Sequence, residues 1–276
     1  EDGTTSYDVY NYDTNALVTE GNYGSVNHYK VTIPGNVDTV AINAIANATK
    51  ATVDPTNLGV KTIPVGDKNF TIKVTSESNA ANTYTLTIVR QKKANNNLST
   101  LKVDNVVVTG FDPEITTYYL DDVSNDIASL VINAETEDAD ARIVSGTGTR
   151  DLNTGLNNLE VVVKAQNGEE KTYTIKVTRE QSTDNRLSRL SINGLPLTPN
   201  YVYVAPPAEE TKEYNVTLRY NKETFGQSDI NAAAHNSTAT ITYDEDITLD
   251  YGETKSFNIK VTAENGSSNT YILKVT

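Results

Sequence analysis

One tripeptide occurs three times in this 276-residue chain, and its surroundings repeat with it. The copies are Ile42-Asn43-Ala44, Ile132-Asn133-Ala134 and Ile230-Asn231-Ala232. Eleven residues after each Ile stands another β-branched residue: Val53, Ile143 and Ile241. A Tyr follows each Ile by 41 or 42 residues, at Tyr84, Tyr173 and Tyr271, and a second Tyr precedes each tripeptide, at Tyr29, Tyr118 and Tyr214. Self-similarity at a fixed period marks a tandem array, and it settles the organisation of the chain before any other feature does.

The opening segment of the unit reads Leu98-Ser99-Thr100-Leu101-Lys102-Val103 in the second copy and Leu187-Ser188-Arg189-Leu190-Ser191-Ile192 in the third. Its counterpart in the first copy is the degenerate Val9-Tyr10-Asn11-Tyr12, since Tyr12 to Tyr29 and Leu101 to Tyr118 both span 17 residues. Apolar and polar residues alternate in Phe70 to Thr75, Leu159 to Val163 and Phe257 to Val261, and again after each closing Tyr. That period of two predicts half-buried antiparallel strands. Asn167-Gly168 and Asn265-Gly266 mark hairpins, and Ser78 to Asn82 reads as a longer polar loop in their place in the first copy. No segment sustains a helical period. Units of about 90 residues with six or seven short strands predict an all-β fold of three tandem immunoglobulin-like sandwiches. The expected domains are residues 1–93, 94–182 and 183–276, joined by equal links from Arg90 to Leu98 and from Arg179 to Leu187. Sandwiches of roughly 35–45 Å in series would make an elongated rod of roughly 100–130 Å.

Composition removes several classes of function. The chain has no Cys, Met or Trp and only two His, so thiolate chemistry, disulfides and a His-rich metal site are out. Its net charge of −13 opposes nucleic acid and anionic membranes, and no stretch is long and apolar enough to insert into a bilayer. His28 and His235 lie in different copies and read as surface residues. No catalytic residues, metal ligands or cofactors are expected. The recurring Tyr and the tripeptide Asn read as structural positions, because they recur in all three units. The links hold no cluster of carboxylates for a calcium-stiffened joint. The runs Asp121-Asp122, Glu135 to Asp140 and Asp244 to Asp246 read as solvated loops. A Lys–Asn crosslink between strands stays open, with too many of both residues to choose a trio.

Leu-x-x-Leu-x-Val at the start, Gly110-Phe111-Asp112-Pro113 with Tyr118, an Asn-Gly hairpin and Tyr-x-Ile-x-Val-x-Arg at Tyr173 to Arg179 resemble the cadherin-like β-sandwich repeat of bacterial cell-surface proteins. The second copy matches best, the third nearly as well, and the first from about Tyr29 onward. The resemblance implies an extracellular module, on a bacterial surface or secreted, with no catalytic residues to carry over. The ends of the chain read as those of a piece of a longer protein. The expected function is a non-catalytic spacer, stalk or adhesion segment, monomeric and with no metal needed for folding. The alternatives are a carbohydrate- or protein-binding module with a cell-wall, glycan or protein ligand, or an accessory region of a larger secreted enzyme. Candidate binding residues come from the third copy, where 24 residues separate Leu190 from Tyr214 against 17 in the others. The additions bring Tyr201, Tyr203, Pro206 and Pro207, with Tyr220 and Phe225 nearby. Loops that differ between equal modules concentrate function, which makes Tyr201, Tyr203 and Tyr220 the candidates.

Overall fold

The computed structural model of the protein describes residues 5–19, 26–206, 208 and 210–276. Among them there is no α-helix, only strands and two short 3-10 turns at Pro55–Asn57 and Gln227–Asp229. Among the described residues no helix is long and apolar enough to cross a membrane. The chain gathers into two compact units. The first takes residues up to Tyr119, Ser129–Arg150 and Asn158–Lys176; the second takes Leu120–Ala128, Asp151–Asn157 and Val177–Thr276.

The three sequence copies share one strand order at the heart of their sheets. Each pairs an early strand with the closing strand in parallel: His28–Ile33 with Ala81–Arg90, Thr117–Tyr119 with Glu170–Arg179, and Glu213–Val216 with Ser268–Val275. The register is the same each time. Tyr29 faces Leu86, Tyr118 faces Ile175 and Tyr214 faces Leu273, two residues beyond the closing Tyr in every copy. The closing strand also pairs antiparallel with Gly66–Thr75 in the first copy and with Lys255–Thr262 in the third. In the second it neighbours Gly155–Lys164. A one-residue slip would turn every apolar side chain of these strands to water, so the alternation fixes this register.

The opposite sheet differs between copies. Leu98–Val103 and Leu187–Ile192 pair with the strands that carry the tripeptide, Ile132 facing Val103 and Ile230 facing Ile192. In the first copy the opening strand is only Tyr10–Asn11, and it pairs with His28–Ile33 instead. It lacks the Leu-x-x-Leu spacing that would plant two side chains in the core. The tripeptide strand Thr39–Ile42 there pairs with Gly59–Thr62. The Ser78–Asn82 segment is not a longer loop. Ser76 donates to Ala80 and Asn79 to Ser76 in the same pattern that Ala165 to Glu169 and Ala263 to Ser267 adopt. Asn79, at φ 61°, occupies the left-handed position held by Gly168 and Gly266, which Asn tolerates better than other side chains.

The cores contain the expected residues. Val31, Ile33, Ile42, Ile63, Phe70 and Ile88 cluster in the first unit, and Leu187, Leu190, Tyr214, Phe257, Tyr271 and Leu273 in the second.

Two further devices recur at the ends of the copies. Arg90 donates from Nε and Nη2 to the Gly35 carbonyl at 3.1 and 2.7 Å and from Nη1 to Ile63 at 3.0 Å. Arg179 does the same to Asn125 at 3.0 and 2.6 Å and to Leu152 at 2.8 Å. The planar fork ties two loop carbonyls to the closing strand, a geometry that Lys cannot reproduce. Beyond each Arg, the link is fastened to the hairpin of the next copy. The Lys93 amide donates to Gln166 Oε1 at 3.0 Å, and its carbonyl accepts from Asn167 at 2.9 Å. The Ser182 amide donates to Glu264 Oε2 at 3.0 Å, and its carbonyl accepts from Asn265 at 3.1 Å. Arg179→Ala is expected to lower unfolding free energy by about 2–3 kcal/mol, with Arg179→Lys recovering little of it. Urea titration checks this, and a loss under about 0.5 kcal/mol would reduce the fork to a surface contact.

Candidate functional site

The segment that lengthens the third copy starts from a position that the second copy also has. Phe111 lies 10 residues after Leu101, and Tyr201 lies 11 after Leu190. The Phe111 ring sits 5.8 Å from Tyr118 and 6.5 Å from Tyr173. Tyr201 sits 6.0 Å from Tyr214 and 6.3 Å from Tyr271. Tyr201 is thus the third copy's Phe111 with a hydroxyl added, and the extra residues fall between it and Tyr214. Its ring packs against the core of the second unit.

That hydroxyl needs a partner indoors, and the extra segment supplies one. Tyr201 donates to the Leu187 carbonyl and reaches Glu210 Oε1 at 3.3 Å. The Glu210 side chain is 1% exposed. It also accepts from the Tyr271 hydroxyl at 2.6 Å and from Asn269 Nδ2 at 3.3 Å, with Arg186 Nε 4.0 Å away. Arg186 in turn donates to the carbonyls of Val204 and Ala208, which holds the segment down. In the second copy the matching Tyr173 hydroxyl donates to a backbone carbonyl, that of Pro113, at 2.7 Å. A buried carboxylate has replaced a peptide oxygen. Burial, and then the Glu210 charge, push the Tyr214 phenol up to about 12. The same two causes raise Tyr201, while burial and the Glu210 hydrogen bond raise Tyr271.

Tyr203 and Tyr220 lie elsewhere. The Tyr203 ring stacks on His235 at 4.4 Å and 15°, and His235 Nδ1 lies 2.5 Å from Asp184 Oδ2. His235 and Asp184 border a polar recess of about 500 Å³ in the second unit, together with Asn125, Asp126, Glu180 and Pro206. Pro207 lies outside the described residues. Tyr220 is 93% exposed, and its ring meets the 96% exposed Tyr251 edge-on at 6.5 Å. Phe225, by contrast, is 1% exposed and packs on Phe257. The three candidate tyrosines therefore have three different sets of neighbours: a core, a stacked imidazole and an exposed aromatic pair. Sequence reading missed Glu210, which looks like any acidic loop residue. It missed Tyr251 because a lone Tyr before a Gly carries no signal. The spacing of Tyr201 from Leu190 would have matched it to Phe111.

The neutral phenols make a pH prediction. Their pKa values in the folded state lie above the ordinary value near 10, so their contribution to stability is complete below about pH 10. It is lost as pH rises through the folded values, near 12 for Tyr214. Absorbance titration should show a group of tyrosines that ionise only as the third copy unfolds in alkali. Glu210→Gln should lower their apparent pKa values and cost about 1–3 kcal/mol, because an amide N–H then faces donors. Tyrosines that all ionise near 10 in the folded protein would contradict the buried cluster.

Comparison with known proteins bears on the fold. No curated protein sequence matches the chain. Among solved structures, the chain is similar to Drosophila N-cadherin EC1-3, with 13% identity, coverage of 89% of this chain and 96% of that one, and a TM-score of 0.30. It is also similar to mouse Cadherin-23 EC22-24, with 12% identity, coverage of 91% and 95%, and a TM-score of 0.26. At the level of sequence families, residues 98–180 match the Cadherin-like beta sandwich domain, so the second copy is a cadherin-like β-sandwich.

Proposed function

We propose that this chain is a non-catalytic spacer or adhesion segment of a bacterial cell-surface or secreted protein. Its three copies would act as β-sandwich domains in series, divided near residues 93 and 182. One observation carries the reading. At both divisions a link residue, Lys93 or Ser182, gives its amide and its carbonyl to the hairpin of the next copy. A link held by both backbone groups has little free chain left to swing, which suits a module that must keep distance or bear load. The Arg90 and Arg179 forks, just before each link, close the copy that ends there. The match of residues 98–180 to a cadherin-like domain supports an extracellular setting. Pulling single molecules by their ends should give separate unfolding events for the copies, the first and the third each releasing roughly 300 Å of chain as about 90 residues extend. A single event that releases the whole chain would defeat the division into three.

A second reading, a glycan- or protein-binding module, is favoured by the exposed Tyr220 and Tyr251 rings. Aromatic faces open to solvent are the side chains that sugar rings and protein hot spots use. Tyr203 stacks on His235 instead, and Tyr201 serves the core with its ring. Tyr220→Ala with Tyr251→Ala should change stability by less than about 0.5 kcal/mol and abolish any binding found on a glycan array or cell-wall pull-down. Binding that survives both changes would remove this pair from the reading.

A further inference from the structure

A lysine, an asparagine and a carboxylate meet at the start of the second copy. Lys171 Nζ lies 2.9 Å from Asn97 Oδ1 and 3.3 Å from Glu114 Oε2. Asn97 Nδ2 donates to Glu114 Oε1 at 2.9 Å. One carboxylate thus touches both the amine and the carboxamide nitrogen, and the amine touches the carboxamide oxygen. Lys171 is 17% exposed, its ammonium 5.4 Å from the Tyr173 ring centre and also donating to the Pro113 carbonyl at 2.7 Å. Glu114 is 77% exposed. The other lysine–carboxylate pairs among the described residues, such as Lys50–Glu77 and Lys93–Asp138, have no asparagine carbonyl at the amine. Two residues before the closing Tyr, the first and third copies have Asn82 and Asn269 where the second has Lys171, so the trio belongs to the second copy alone.

We propose that Lys171 and Asn97 form an intramolecular isopeptide bond, with Glu114 as the proton carrier. The chemistry needs a nucleophilic amine, an amide carbonyl and a group that can move protons between the entering and leaving nitrogens. Glu114 Oε2 accepts a proton from the Lys171 ammonium. The free Nζ adds to Asn97 Cγ, making the new C–N bond. Glu114, bonded through Oε1 to Nδ2, delivers the proton to that nitrogen as the Cγ–Nδ2 bond breaks. Of the three protons on the ammonium, one stays on the new amide and two depart with the leaving nitrogen as ammonium. Nothing is oxidised or reduced, and no co-reactant is required. The exposed side of Glu114 gives the ammonia a path to solvent. The bond would join the residue that opens the second copy to its closing strand, so that force applied along the chain could not separate the two. This inference stands apart from the spacer reading, since the bond can form whatever the segment does.

Intact-mass spectrometry on the full chain, after overnight incubation at mildly alkaline pH, tests it. The expected result is the loss of one ammonia, with a protease digest yielding a branched peptide that joins Asn97 to Lys171. Lys171→Arg and Glu114→Gln should both keep the full mass while their circular dichroism stays that of the parent. A parent chain of full mass overturns the proposal. So does an ammonia loss that persists in Lys171→Arg, which would mark a succinimide at an asparagine. An ammonia loss retained in Glu114→Gln would overturn the role given to the carboxylate.

Discussion

The phenol of the closing strand holds the two sheets of a copy in one alignment. In the second copy the Tyr173 hydroxyl accepts from the Leu98 amide at 3.1 Å and donates to Pro113 at 2.7 Å. In the third, Tyr271 accepts from the Leu187 amide at 3.0 Å and donates to Glu210 at 2.6 Å. Both rings are 0% exposed. Each phenol thus satisfies the first amide of a strand in the opposite sheet, which would otherwise be buried without a partner. A buried phenol left unbonded would be costly, so the opening strand, the closing strand and the acceptor have to be placed together. In the first copy this constraint is relaxed. Its opening strand shrinks to Tyr10–Asn11 and moves to the other sheet, and Tyr84 is only half-buried.

Once that phenol is fixed, the acceptor can vary. The second copy uses the peptide oxygen of Pro113, brought there by the turn after Phe111. The third copy has lengthened this turn and uses a carboxylate instead. The exchange makes room for the Tyr201 hydroxyl, which has no counterpart on Phe111. It also removes the position at which a lysine could meet that acceptor, since Asn269 now donates to Glu210. The chemistry open to Lys171 in one copy is thus closed in the next, where Asn269 and Arg186 stand in place of Lys171 and Asn97. The buried Glu210 holds this lengthened turn inward for part of its length. Between Tyr201 and the buried Glu210, Tyr203 stacks on His235.

Much of the fold was legible because its signals are periodic. Alternation named the strands, Asn-Gly named two hairpins, and the tripeptide and tyrosine spacings aligned the copies. The third hairpin was misread at Ser78 to Asn82, since the left-handed residue is Asn79 and no glycine marks it. The forks of Arg90 and Arg179 could be counted along the sequence, but their targets could not. Gly35, Ile63, Asn125 and Leu152 offer backbone carbonyls, which any residue would offer equally. The candidate site fared less well for a similar reason. A tyrosine reads the same in sequence whether its ring fills a core, stacks on an imidazole or faces water.

The sequence by itself determined the all-β class, the threefold repetition, the strand faces and the equal links. These depend on residue type at regular intervals, and hydrophobic burial acts on that pattern directly. The tertiary structure alone decided which phenol meets which acceptor, that Glu210 is buried, that Tyr220 finds Tyr251, and that Lys171, Asn97 and Glu114 converge. Those residues lie as many as 74 positions apart. Their meeting depends on the register of the paired strands and on the paths of the connecting turns, and a contact of that kind leaves no periodic trace in the chain that makes it.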